Sequence, residues 1–407
     1  MKRITRYPRS FSIIILISLL VFLIIRCTGK EEGSTVIKNT AGKAFSGSQT
    51  CASCHKGIYN KHIHTAHFLT SKPALAQYIL GSFDEGRNSY AFNGSVIVSM
   101  EKRADGFYQV EYFRGAERKA KKMEIVVGSG TMGQSYLYWQ DGKLFQMPIT
   151  YFTAAHTWSN SPGFPDKVVF NRFITSRCLE CHTSYVKTVS AEGQQPEEFD
   201  SSQIIYGIDC EKCHGPGADH VAFQSSHPKE SKAQFIINPA QFTRQQKLDL
   251  CASCHGGRLQ KTKPSFSFMP GDTLSNYFVI DTTAPDPTHI DVHANQYGLL
   301  RASKCFRFSA TLTCNSCHNT HENERGQKAV FSQRCQSCHP DIHRNDALHQ
   351  QMGNTIFSNC IDCHMPVQSS RAIAVQLQGD MAPVAAQIRS HFISIYPDET
   401  KKVLKRK

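Results

Sequence analysis

The chain has 407 residues, 40% hydrophobic and 19% charged, proportions of a globular protein that exclude a disordered or collagen-like chain. Its formal charge of +13 comes from 46 Lys and Arg against 33 Asp and Glu, a balance that alone would suggest nucleic acid or an anionic membrane as partner. The unusual entries in the composition are 16 cysteines and 19 histidines, which meet in one repeated pattern.

In chain order, residues 2–9 carry four positive charges and Phe11 to Ile25 is an apolar run of 15 residues. A basic start and a short apolar core predict a secretory signal over residues 1–26, too short to be an ordinary spanning helix. Cys27 ends the run and is followed by TGKEEGST, which resembles a bacterial lipoprotein cleavage site and makes Cys27 a candidate lipid anchor. Arg26 departs from that pattern, which places a small residue before the cysteine, so an uncleaved anchor and ordinary cleavage stand as alternatives. All three put the rest of the chain outside the cytoplasm, in the periplasm or outer cell envelope. Residues 27–44 read as a linker.

Beyond it, 14 of the 16 cysteines fall in seven Cys-x-x-Cys-His motifs. They are Cys51-Cys54-His55, Cys178-Cys181-His182, Cys210-Cys213-His214, Cys251-Cys254-His255, Cys314-Cys317-His318, Cys335-Cys338-His339 and Cys360-Cys363-His364. Two thiols one helical turn apart can add to the two vinyl groups of one porphyrin, with the adjacent imidazole beneath the iron. The spacing therefore reads as covalent attachment of haem c, seven groups in all, with the seven histidines as proximal ligands. A lone Cys-x-x-Cys would read equally as zinc or a redox dithiol, but seven followed by histidine in an exported chain do not. Haem also changes the charge. From Cys27 the excess is +8, and about two propionates per haem against one ferric charge bring the oxidised holoprotein to roughly +1. Much of the Lys/Arg excess then pairs with propionates, and the nucleic-acid reading loses its support.

The second axial ligand decides between relay and enzyme, because two nitrogen ligands leave no iron position for a substrate. In the first haem segment, 45–83, His67 follows His55 by 12 residues, close enough for a short helix to fold back to a haem. A β-rich insert follows over 84–172, densest over about 84–150, where alternating apolar runs flank Asp105-Gly106 and Asp141-Gly142 as in hairpins. Gly128-Ser-Gly130-Thr-Met-Gly133 matches a dinucleotide fingerprint but lacks the following helix, so nucleotide binding is not expected. Residues 173–260 carry motifs two to four. There the glycines and proline of CHGPGADH turn His220 towards a neighbouring haem. A connecting segment spans 261–300, and 188–203 and 282–288 read as solvated loops. Residues 301–395 carry motifs five to seven; His321, three residues after His318, cannot reach the same iron from the opposite side and is expected to serve an adjacent one. His156, His293, His349 and His391 complete the distal candidates, while His62, His64, His227, His289 and His343 read as surface or core histidines. Cys305 reads as a structural thiol, with iron ligation or partner attachment as alternatives, and 396–407 as a basic tail.

With these residues in view, the chain resembles the multihaem cytochromes c related to the cytochrome c-554 family over most of residues 45–395. SGSQTCASCHKGIYNKHIHTAH resembles that family's first haem segment, and GSGTMGQSYLYWQDGKLFQMPITYF and SPGF a stretch of its larger members. GIDCEKCHGPGADHV, LTCNSCHNTH and CIDCHMP resemble further haem segments, and SHFISIYPDET the tail after the last haem. The resemblance implies that His67 and His391 are distal ligands, and that stacked haem pairs transfer electrons in a predominantly helical fold. At His62 the family more commonly has tryptophan. Octahaem hydroxylamine oxidoreductases and multihaem nitrite or tetrathionate reductases pack haems similarly, but this chain has no Cys-x-x-Cys-Lys site of the main nitrite reductase pattern.

The expectation is a mainly α fold with extensive loops, organised around stacked haems, with a small inserted β-rich unit. The expected function is electron transfer in the bacterial cell envelope through mostly bis-histidine haems. The partners would be redox proteins of an envelope chain and, through the N-terminal lipid or anchor, a membrane. The alternatives are an oxidoreductase acting on nitrite, hydroxylamine or tetrathionate at one five-coordinate haem, and a structural link in a larger haem-bearing assembly.

Overall fold

The alternating apolar runs between the first two motifs do form strands. In the computed structural model, which describes residues 36–405 apart from 192, 282 and 284, they begin at Ser71. The signal sequence and Cys27 lie outside the described residues. The strands are β1 (Ser71–Pro73), β2 (Ser89–Asn93), β3 (Val96–Arg103), β4 (Gly106–Phe113), β5 (Ala116–Met123) and β6 (Ile125–Val127). They continue as β7 (Gly133–Gln140), β8 (Lys143–Gln146), β9 (Ile149–Phe152), β10 (Thr157–Asn160) and β11 (Arg172–Phe173). Strands β2 to β5 make a four-stranded antiparallel meander. The others make a seven-stranded sheet of order β1-β6-β7-β8-β11, to which β9 and β10 attach through β7. Turn chemistry sets the register. Asp141 and Gly142, both at positive φ (52° and 71°), separate Gln140 from its partner Lys143 in the geometry of a tight primed turn. Gly128-Ser-Gly130-Thr-Met-Gly133 joins β6 to β7 and opens no helix.

Because strand neighbours point to opposite faces, this sheet serves two cores. Val126, Tyr136 and Tyr138 join Val98, Met100, Met147, Ile149 and Trp158 between the two sheets. Trp158 donates its Nε1–H to the Ser82 carbonyl at 2.8 Å and lies over Gly81, where a Cβ would come within 2.0 Å of its ring. Ile125 and Leu137, on the other face, pack with Leu144, Leu179, Tyr185, Phe199 and Phe266. That second core fastens the second motif, in the helix Ser176–His182, to the β unit. It also takes in the hairpin of β12 (Thr183–Thr188) and β13 (Phe199–Tyr206).

Elsewhere helices are short. The first and fourth motifs lie in Ser48–His62 and Arg244–His255; the third and seventh occupy Cys210–His214 and Cys360–His364. The fifth starts in a single 3-10 turn, Cys314–Ser316, and the sixth straddles the end of Lys328–Gln336. Two more strand pairs are β14 (Gln260–Lys261) with β15 (Phe278–Val279), between the fourth and fifth motifs, and β16 (Val367–Val375) with β17 (Val384–Arg389), after the seventh. Helical segments make up 30% and strands 26%, so the expectation of a mainly α fold is corrected: several sheets share the chain with short helices. The physical reason is that a Cys-x-x-Cys-His motif needs only one helical turn, so the motifs do not imply long helices. The strands also extend past the expected 84–150 on both sides, and the stretch 188–203, expected as a loop, ends inside β13. Among the described residues no helix is long and apolar enough to cross a membrane.

Candidate haem-binding sites

Hydrogen bonds from flanking and distant residues hold the motif helices. In the third, Asp209 caps the helix Cys210–His214 by accepting the Glu211 N–H at 3.0 Å. Glu211, fully buried, accepts N–H groups from Ser46 and Gly47 (2.8 Å each) and Gly217 (2.7 Å), tying the entry to the first motif onto the third. Burial, reinforced by Glu211, pushes the Asp209 carboxyl up to about 6. In the seventh, Asp362 accepts from Lys328 (2.6 Å), Arg389 (2.7 Å) and Asn359 (3.0 Å). In the fourth, a capping box of Thr243 and Gln246 starts the helix that ends at His255.

The histidine rings then meet in pairs. His67 faces His255 with ring centres 6.0 Å apart; His214 faces His321 at 6.1 Å, His318 faces His391 at 6.1 Å and His343 faces His364 at 6.2 Å. Two metal–imidazole bonds of about 2.0 Å put ring centres about 6 Å apart, so each pair would admit one iron. His182 lies near His293. Motif residues of the first four sites, with His67, His220, His293, His318 and His321, line one cavity of about 1950 Å³. Orientation agrees with spacing: the Nδ1 of His214, His220 and His364 meets the carbonyls of Ile237 (2.9 Å), Gln234 (2.8 Å) and Ser394 (2.9 Å). A carbonyl can only accept, so Nδ1 carries the proton and Nε2 keeps its lone pair for a metal. Burial lowers His182, His293, His318 and His321, and takes His67 and His391 down to about 4, which keeps these rings in the neutral, ligating form. The donor set, spacing and cavity fit covalent haem.

The motif sulfurs meet as well. Cys51 contacts Cys210, Cys181 contacts Cys254, Cys251 contacts Cys314, and Cys335 contacts Cys360. Cys213 faces Cys254. Between motifs five and six, Cys317 faces both Cys338 and the non-motif Cys305. The attachment sites thus follow one another as one, three, four, five, six and seven, with the second joined to the fourth.

Not every candidate joins this array. His156 sits exposed at φ 51° in the turn between β9 and β10, off the cavity. His349 turns its ring to Phe357 and accepts the Asn345 N–H on Nδ1 at 3.2 Å. His62 lies 6.2 Å from His321, but its Nε2 is bonded to the Ile208 carbonyl at 3.0 Å, so His214 is the better-oriented partner. His343 is the residue that sequence reasoning missed. It follows His339 at short range just as His321 follows His318, and the same argument for service to a neighbouring site applies to it.

A family profile described as cytochrome c554 and c-prime matches residues 154–215, spanning the second motif and the third up to Gly215. The chain is 22% identical to a C-type polyheme cytochrome, OmcC, of Geobacter sulfurreducens over 211 aligned positions, covering 46% of this chain and 25% of that one. It therefore spans about a quarter of that relative's length. The chain is a multihaem cytochrome c. The fold of a solved structure, the outer cell wall cytochrome OcwA, superposes with a TM-score of 0.52 over 89% of this multihaem cytochrome and 82% of that chain, at 14% identity. As a cytochrome c it binds haem covalently, and its Cys-x-x-Cys-His motifs are the residues able to do so.

Proposed function

We propose that this multihaem cytochrome carries seven haem c groups, one per motif, and transfers electrons outside the cytoplasm through irons that are mostly bis-histidine. When bound, the haems supply the one-electron chemistry. The observation that carries the reading is the set of four imidazole pairs at 6.0–6.2 Å, each joining a motif histidine to a second ring. On this basis His67, His321, His391 and His343 are the distal ligands of sites four, three, five and seven. His293 serves site two and His220, on the same cavity, site one. The protein's own contribution is to fix these rings, keep them neutral and exclude water from the space between them. The N-terminal signal and Cys27 support export with a lipid or membrane anchor, and redox proteins of an envelope chain are the partners.

The test is haem counting and spectroscopy on the purified holoprotein. Mass spectrometry and the pyridine haemochrome should give seven haems per chain, with electron paramagnetic resonance dominated by low-spin ferric signals. Replacing His67 or His391 by alanine should convert one low-spin iron to high spin while all seven haems stay attached. If His67→Ala leaves every signal and potential as before, the assignment of that ring is wrong. The alternative reading, chemistry on a small nitrogen or sulfur compound at an open iron, is favoured by one observation only, the hydrogen bond at His349.

A further inference from the structure

We propose that the sixth site keeps an iron position opposite His339 that His349, the histidine nearest in the fold of this segment, does not fill and that takes a small inorganic anion from solvent. The proposal rests on the seven-haem reading above. The histidine that the fold offers to this site is His349. It lies in the helix Ala347–Met352, which packs against the 3-10 segment Gly353–Ser358, which in turn packs on the helix carrying Cys335. Its imidazole is set the wrong way for a metal. The Asn345 backbone N–H can only donate, so the Nδ1 that receives it at 3.2 Å carries no proton. A neutral ring of that kind has its proton on Nε2, the nitrogen that the paired rings keep free. Moving the proton to Nδ1 to free Nε2 would set an Nδ1–H against the Asn345 N–H.

The loop before this helix holds His349 this way because it is committed to the seventh site. Asp346 accepts from His343 Nδ1 with one oxygen (2.6 Å) and from the His349 backbone N–H with the other (2.8 Å). His343 and Asn345 both adopt left-handed φ (58° and 63°). The first brings its ring to 6.2 Å from His364, and the second leaves the Asn345 N–H on His349. The same carboxylate that orients a ligand for site seven therefore fixes the neighbouring histidine out of use. Cys338 and His339 are exposed, so a water-borne ligand reaches this site without crossing the core. A ferric centre with one protein nitrogen below and solvent above favours anionic donors such as nitrite.

Electron paramagnetic resonance of the fully oxidised, full-length holoprotein tests this, with nitrite as the probe. The expected spectrum has one high-spin component that turns low-spin on nitrite addition, in wild type and in His349→Ala alike. His343→Ala should add a second high-spin component. In a variant with both Cys335→Ser and Cys338→Ser, six haems should remain and the nitrite-sensitive component should vanish. Three results each overturn the proposal: a wild type that is wholly low-spin and indifferent to nitrite, a new high-spin signal in His349→Ala, or survival of the nitrite-sensitive signal in the double variant. A haem count other than seven, or loss of the low-spin signals from the paired sites, would instead overturn the reading on which it rests.

Discussion

His343 and His349 lie six residues apart, one before the helix Ala347–Met352 and one within it, yet their Nδ1 atoms have opposite partners, a carboxylate oxygen and a backbone N–H. At the residue scale, that second partner decides what an imidazole can do for a metal. Asp346 strengthens His343 as a donor by accepting its Nδ1–H, and this hydrogen bond heads the causes that hold the Asp346 carboxyl below the usual range. A more basic imidazole favours ferric over ferrous iron. Asp346→Ala is therefore expected to raise the potential of the seventh site. Second partners of metal-bound histidine typically alter affinity tenfold or more, and tenfold in one oxidation state corresponds to about 59 mV. Spectroelectrochemical titration of wild type and variant checks this; an unchanged or lower potential would separate Asp346 from the ligand. The seven motifs were legible in sequence because their spacing repeats; the roles proposed for His67 and His321 start from their distance to a motif, and that of His391 from the family resemblance. The pairing of rings was not legible, since His67 and His255 are 188 positions apart in the chain and only packing brings them together.

At the scale of elements, one-turn helices cannot stand by themselves, and side chains outside the motif hold them. The helix Cys360–His364 is an instance. Burial alone would raise the Asp362 carboxyl, but hydrogen bonds from Lys328, Asn359 and Arg389 override it and hold it at about 2. A folded value about two units below the ordinary one contributes stability that is fully present above about pH 4 and is lost as pH falls towards 2. The magnitude is on the order of 2–3 kcal/mol. Asp362→Asn should lower the melting temperature at neutral pH, with the difference shrinking to nothing near pH 2; thermal unfolding across that range measures it, and a constant difference would assign the effect to packing. Which elements could be read in advance follows the same physics. Strands β3, β4, β7 and β8 announce themselves by alternation around Asp-Gly. Strand β1 has three residues, and β14 and β15 two each, too short for any period to show; their existence depends on partners brought by the rest of the fold. A mainly α fold was expected because the family that the chain resembles is predominantly helical, whereas the β unit supplies the core that fastens the second motif.

At the scale of the molecule, the contacts between motif sulfurs define a route with one branch. Site four is a junction: Cys254 meets Cys181 of site two and faces Cys213 of site three, while Cys251 meets Cys314 of site five. Among the sulfur contacts site two meets the array at site four alone, so it is a side branch on this geometry. The two positions can be separated by raising one potential at a time, because methionine in place of one axial histidine raises the potential of a c-type haem. His67→Met would do this at the junction and His293→Met at the branch. An electron resting on a carrier about 59 mV above its neighbours is held about tenfold longer. Internal equilibration after pulse reduction is therefore expected to slow about tenfold or more in His67→Met, with electrons trapped between sites three and five. In His293→Met the main phase should keep its wild-type rate, because traffic from site three to site five does not pass through site two. Equal slowing in both variants would mean that site two lies on the main route, and an unaffected His67→Met would remove site four from it.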